Sequence, residues 1–69
     1  MIALTEQERA IIRELAEQDM NVSSAARELG LSPESVRWTV SRIARVTGLD
    51  PRKFYDLCEL LDLLREGRL

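Results

Sequence analysis

The sequence has no histidine and a single cysteine, Cys58. It therefore cannot form a disulfide within the chain, and it lacks the ligands of a typical structural zinc site. Chains below about 70 to 80 residues usually need such an element, a partner copy or closely packed helices to remain folded. We expect the 69 residues to form one domain, residues 1–69, that depends on helix packing or self-association.

Glycine and proline are also scarce, and no segment shows the pattern of a β-strand. Alanine, leucine, arginine and glutamate dominate, which predicts an all-α domain. No run approaches the roughly 18 apolar residues of a membrane span, and the first 20 residues contain five acids, which argues against a signal peptide. We expect a cytoplasmic protein. Cys58 lies in the last apolar segment and is expected to be a small buried side chain.

The net charge of −2 is unevenly distributed along the chain. Residues 1–26 carry two arginines against five acids, residues 27–53 carry six basic residues against three acids, and residues 54–69 carry two arginines against four acids. The middle third is therefore basic and both flanks are acidic. A local basic surface attracts a polyanion even when the whole chain is acidic.

Capping signals divide the chain into four helices. Thr5 and Glu8 form a capping box that predicts a first helix over residues 6–19. Asn21 is the expected N-cap of a second helix, about 22–29, which Gly30 ends. The pair Ser32-Pro33 begins a third helix that closes at Thr47-Gly48. The pair Asp50-Pro51 is expected to open a fourth helix that ends near Glu66, so the fold is predicted to be a compact four-helix domain.

The third helix is predicted to bury a stripe made of Val36, Val40, Ile43 and Thr47, which lie within about 40° of one another on a helical wheel. Trp38 lies about 200° from Val36 and should face outward. The alternatives are that the arginines on the outward side of this helix are merely solvated, or that Trp38 is covered by an arginine stem, another helix or a second subunit. The residues expected beside Trp38 are Glu34, Arg37, Ser41, Arg42 and Arg45.

Three residues in the middle of the chain have the spacing of a helix-turn-helix unit. Ala26 is small enough for two helices to approach, Gly30 can take the left-handed conformation of the turn, and Val36 anchors the next helix. The other apolar positions of the unit, which spans about residues 22–47, are Ala25, Leu29, Leu31 and Val40. The alternative is any helical hairpin with a glycine cap.

The segment "NVSSAARELGLSPESVRWTVSRIARVTGLD" resembles the C-terminal helix-turn-helix domain of PucR-type bacterial transcription regulators, over about residues 21–64. Its first half is equally similar to Fis-type helix-turn-helix domains. The resemblance implies a DNA-binding domain, either excised from a larger regulator or acting alone with partners. The landmarks are Asn21, Ala25, Leu29, Val36, Arg42-Ile43, Thr47-Gly48-Leu49-Asp50 and the aromatic Trp38.

Two departures from the PucR-type pattern remove positive charge from the start of the third helix. Ser32-Pro33-Glu34-Ser35 stands where the family tends to have histidine, arginine, asparagine and threonine, and Thr39 stands where arginine is common. These substitutions bear on the DNA site rather than on the fold.

A third helix placed in the major groove reads bases near its N-terminus, while neighbouring positions contact phosphate. Arg37 is the leading candidate because a guanidinium can bond O6 and N7 of guanine. Glu34 is either a cytosine contact or only a charge that favours the helix dipole. The base-reading candidates are Ser32, Glu34, Arg37, Trp38 and Ser41. The phosphate candidates are Ser23, Ser24, Arg27, Arg42, Arg45, Arg52 and Lys53.

The fourth helix carries more apolar surface than one small neighbour would cover, so a homodimer is expected through it and through the first helix. The alternative is that the first helix packs across it. The dimer candidates are Leu57, Leu60, Leu61, Leu63 and Leu64.

We expect double-stranded DNA as the partner, no cofactor or metal, no small-molecule ligand and no enzymatic activity. The rival hypothesis is a protein-interaction module that uses the Trp38 face.

Overall fold

Residues 3–69 are described by a computed structural model. They form four α-helices: α1 (Glu6–Glu17), α2 (Val22–Leu29), α3 (Pro33–Thr47) and α4 (Phe54–Arg65). The all-α, four-helix prediction is confirmed. The radius of gyration is 10.7 Å, close to the roughly 11 Å expected of a folded chain of this length. None of the helices in this part of the chain has the length and apolar character needed to cross a membrane.

The capping box at the start of α1 is present as predicted. The Glu8 amide donates to the Thr5 hydroxyl at 3.1 Å, and the Thr5 amide donates to Glu8 Oε1 at 2.8 Å. The predicted end at residue 19 was wrong, because α1 ends at Glu17. Asp19 and Met20 both have positive φ, 52° and 65°, which is incompatible with a right-handed helix.

The boundaries of α2 and α3 match the prediction. Asn21 Oδ1 accepts from the Ser24 amide at 3.0 Å, and the Ser32 hydroxyl accepts from the Ser35 amide at 3.2 Å. Between the two helices Gly30 has φ 69°. This left-handed residue ends α2 and turns the chain into α3, and the two helices contact each other as a helix-turn-helix unit requires.

The fourth helix begins later than the sequence predicted. Asp50-Pro51 does not open α4, which starts at Phe54. The Lys53 amide donates to the Asp50 carbonyl at 2.9 Å, which closes a separate turn. Lys53 itself is extended, with φ −106° and ψ 132°, so the turn cannot continue into the helix.

The helix α1 is the centre of the core. It contacts α2, α3 and α4, whereas within residues 3–69 the helix α4 contacts only α1 among the other helices. The predicted stripe of α3 is buried at three of its four positions, and Thr47 is half-buried. The buried apolar residues are Leu4, Ile11, Ile12, Leu15, Ala25, Ala26, Val36, Val40, Ile43, Leu57 and Leu60.

Replacing Gly30 tests the conformation of the turn between α2 and α3. A Cβ at this position would meet nothing within 4 Å, so any cost comes from the positive φ alone. We expect Gly30→Ala to lower the free energy of unfolding by about 1 kcal/mol in urea denaturation. Gly30→Asn is the control and should cost less, because asparagine tolerates the left-handed region. Equal stability of the wild type and Gly30→Ala would contradict the observed turn.

Candidate nucleic-acid interface

The helix α3 presents Trp38 to solvent. Its side chain is 68% exposed, whereas Val36 and Val40 are fully buried on the opposite side of the helix. The predicted outward orientation of Trp38 is therefore confirmed. Arg37 and Ser41 are also exposed, and the same face continues to Arg45 one turn further along. The apolar stripe of α3 thus fixes which side chains the protein offers to a partner.

Two arginines on this face remain available for binding. Arg37 and Arg45 are exposed, and neither forms an ion pair within the described residues 3–69. The Arg27 side chain, near the end of α2, is also exposed and lies 3.5 Å from the Ser24 hydroxyl. Ser23 is exposed and Ser24 is half-buried at the start of α2.

The N-terminus of α3 is occupied by its own capping interactions. The Ser32 hydroxyl accepts from the Ser35 amide and donates to the Ser35 hydroxyl at 2.9 Å. A base contact by Ser32 therefore has to use its remaining acceptor capacity. Glu34 is exposed in the first turn, where a carboxylate interacts favourably with the helix dipole.

Arg42 is held by a residue that the sequence did not connect with it. Its Nη1 donates to Oε2 of Glu8, the capping-box residue of α1. The Glu8 side chain is only 6% exposed, and that of Arg42 is 37% exposed. Both carboxylate oxygens of Glu8 therefore accept hydrogen bonds. Oε1 caps α1, and Oε2 binds Arg42 of α3. The capping box was recognisable in the sequence, but a partner 34 positions away was not.

Arg52 is also committed to an internal partner. Its Nε lies 3.0 Å from Asp50 Oδ1, and its backbone amide donates to the same oxygen at 2.9 Å. The hydrogen bond from the Arg52 side chain holds the pKa of Asp50 below its ordinary value, and the same bond raises the pKa of Arg52. Lys53 is exposed and lies outside any ion pair of the described residues. Of the predicted phosphate contacts, Arg42 and Arg52 are thus the two with carboxylate partners.

The predicted dimer residues divide into two groups. Leu57 and Leu60 are buried against α1 and belong to the core of the single chain, so their assignment to a dimer surface was wrong. Leu61, Leu63 and Leu64 are half-buried. The sequence predicts the apolar arc of α4, but it does not show which part of that arc α1 covers.

The expected burial of Cys58 was also wrong, because this thiol is exposed. It lies to one side of the arc that α1 covers. The first two residues of α4 are exposed aromatic residues, Phe54 at 59% and Tyr55 at 84% exposure. Their rings meet edge to face at a centroid distance of 5.4 Å.

An exposed aromatic and basic helix face, on the second helix of a helix-turn-helix unit, defines a class of nucleic-acid-binding domain. Residues 9–65 match the PucR C-terminal helix-turn-helix domain family. The match covers most of the sequence, and the chain belongs to this family. Membership indicates a DNA-binding domain of a transcription regulator. No curated protein and no solved structure gave a significant match.

Replacing Glu8 by glutamine separates its two roles. Glutamine can still accept from the Thr5 amide in a capping box, but it lacks the charge that attracts Arg42. We expect Glu8→Gln to lower the free energy of unfolding by about 1 kcal/mol, because Arg42 is exposed enough to regain water. Urea denaturation measures the change.

Glu6→Gln is the matched control for the loss of one carboxylate from α1. Glu6 is exposed and pairs with Arg9 one turn away, so its replacement should leave stability unchanged within error. A Glu8→Gln protein as stable as the Glu6→Gln protein would show that the contact between Glu8 and Arg42 does not stabilise the fold.

Proposed function

We propose that the protein binds double-stranded DNA as a sequence-specific transcription regulator, with α3 in the major groove. The observation that carries this proposal is the exposed face of α3, where Trp38 lies beside Arg37 and Arg45, neither of which is neutralised within residues 3–69. Such a face supplies both an aromatic surface and guanidinium groups to the groove. A cytoplasmic location follows from this partner.

Arg37 is the proposed reader of guanine, since its planar fork matches O6 and N7 of that base. Ser32, Glu34, Trp38 and Ser41 are the neighbouring base-reading residues. Glu34 places an acidic group near the bases, so it favours a cytosine amino group over a phosphate. A bidentate contact from Arg37 to guanine would discriminate between bases by about 1–3 kcal/mol.

We propose that the phosphate-contacting residues lie on both sides of the base-reading residues. Arg45 and Lys53 are free to bind an oxygen, and Arg42 and Arg52 keep further N–H donors beyond those that bond Glu8 and Asp50. About three to five phosphate contacts in each subunit would give a steep dependence of affinity on salt. The proposed phosphate-contacting residues are Ser23, Ser24, Arg27, Arg42, Arg45, Arg52 and Lys53.

One helix-turn-helix unit contacts only a few base pairs, so specific binding generally uses two. We therefore propose that the regulator acts as a homodimer. The acidic N-terminal and C-terminal thirds of the chain direct DNA to the basic middle third, because they repel phosphate elsewhere on the surface.

Alanine substitutions on α3 test the role of the arginines. We expect Arg37→Ala and Arg45→Ala to weaken binding to duplex DNA by about tenfold or more in a gel shift. Arg45→Ala should also reduce the slope of log affinity against log salt by about one. Arg68→Ala, at the exposed C-terminal end of the chain, removes the same charge and should leave binding unchanged. Equal losses of DNA affinity in all three variants would show that only net charge matters, and would contradict the proposed binding face of α3.

The fluorescence of Trp38 reports on the same surface, since it is the only tryptophan. A side chain that is 68% exposed should change its emission intensity when DNA covers it. Titration with mixed-sequence duplex measures the change in emission. The DNA affinity of the Trp38→Phe protein is the control. Intact binding with an unchanged spectrum would remove Trp38 from the interface. Binding that fails with DNA, but succeeds with a protein and depends on Trp38, would favour the interaction-module hypothesis.

A further inference from the structure

The helix α4 has an exposed seam beside the surface that α1 covers. Phe54, Cys58, Leu61 and Arg65 are separated by four, three and four residues, so they lie in one row along the helix. Phe54, Cys58 and Arg65 are exposed and Leu61 is half-buried. We call these four residues the α4 seam. Its spacing is that of the contact positions in a paired helix.

A groove lies at the C-terminal end of this seam. It has a volume of about 290 Å³ and is lined by Arg13 of α1 and by Leu61, Leu64 and Arg65 of α4. Its lining thus combines two apolar side chains with two basic ones. An aromatic ring fits this lining, because a leucine surface packs against the ring and a cation interacts with its face.

The ring and the groove lie on the same helix, yet they cannot meet within one chain. Phe54 and Arg65 are eleven residues apart, which corresponds to about 16 Å along a helix. A second copy related by a two-fold axis brings them together. When two α4 helices run antiparallel, Phe54 faces Arg65 of the partner subunit, and in the same register Cys58 faces Leu61 of the partner subunit.

The lining of the groove agrees with this register. The ring of Phe54 comes beside the two arginines that line the groove. Nucleic acid is disfavoured as the occupant, because residues 54–69 carry four acids against two arginines.

We propose that the chain forms an antiparallel, two-fold symmetric dimer through the α4 seam, with Phe54 of each copy seated in the groove of the other. Each contact is made twice, as a two-fold interface requires. The role of this dimer in presenting two copies of α3 to DNA rests on the proposed function, whereas the pairing of α4 does not. The interface differs from the sequence-based expectation, because Leu57 and Leu60 lie in the core instead.

Sedimentation equilibrium of the whole chain without DNA tests the dimer. We expect the wild type to be a dimer, and Phe54→Ser to raise its dissociation constant by at least about tenfold, because the aromatic anchor of each groove is lost. Leu63→Ser is the control for losing an apolar side chain from α4, since Leu63 lies outside the seam. A wild type that remains monomeric at about 1 mM would overturn the proposal. Equal effects of the two variants would overturn it as well.

Disulfide trapping tests the register. Two proteins, Phe54→Cys/Cys58→Ala and Arg65→Cys/Cys58→Ala, are oxidised separately and as a mixture. Only the mixture should give a covalent dimer, in which one Phe54 remains seated. In the separate samples the two identical cysteines would lie about 16 Å apart along the helices, too far for a disulfide. Covalent dimers in the separate samples alone would indicate parallel helices and overturn the antiparallel arrangement.

The two proposals fail separately. A monomer that still shifts duplex DNA would overturn the α4 dimer and leave DNA binding in place. A dimer that cross-links in the predicted register but binds no DNA at low salt would support the pairing and overturn the proposed function. Phe54→Ser should keep its helical circular dichroism, because Phe54 is mostly exposed.

Discussion

The packing of α1 against the three other helices is the constraint on which the structure depends. Ile11, Ile12 and Leu15 of α1 are fully buried, and burial of such side chains stabilises a fold by about 1.5–3 kcal/mol each. The helix-turn-helix unit of α2 and α3 is too small to enclose a core alone. The helix α1 covers its apolar side, and this leaves the opposite side of α3 exposed to a partner.

The carboxylate of Glu8 adds direction to this packing. The apolar stripe sets which side of α3 packs inward, and a charged hydrogen bond in addition joins particular atoms. The contact from Glu8 to Arg42 attaches α3 to the first turn of α1. It also means that the count of basic residues in the middle third overstates the charge available to DNA. Among the described residues 3–69, Arg42 and Arg52 have carboxylate partners, whereas Arg37 and Arg45 have none.

The apolar arc of α4 is wider than the part that α1 covers. The helix α4 therefore contributes to two surfaces. One part, with Leu57 and Leu60, completes the core of the single chain. Another part, which begins with Phe54, remains in solvent next to it. Large exposed aromatic groups are typical of contact surfaces. The same small helix thus stabilises the subunit and, in the proposed dimer, joins it to a second one.

The sequence by itself determined the fold class, the α2 and α3 boundaries and the outward orientation of Trp38. These features follow from local rules, since caps act within three or four residues and a helical period sets which side of α3 is apolar. The tertiary structure alone decided the pairing of Arg42 with Glu8, the exposure of Cys58 and the division of the α4 leucines. Each of these depends on which helix packs against which, and contacts between residues distant in the chain leave no periodic signal in the sequence.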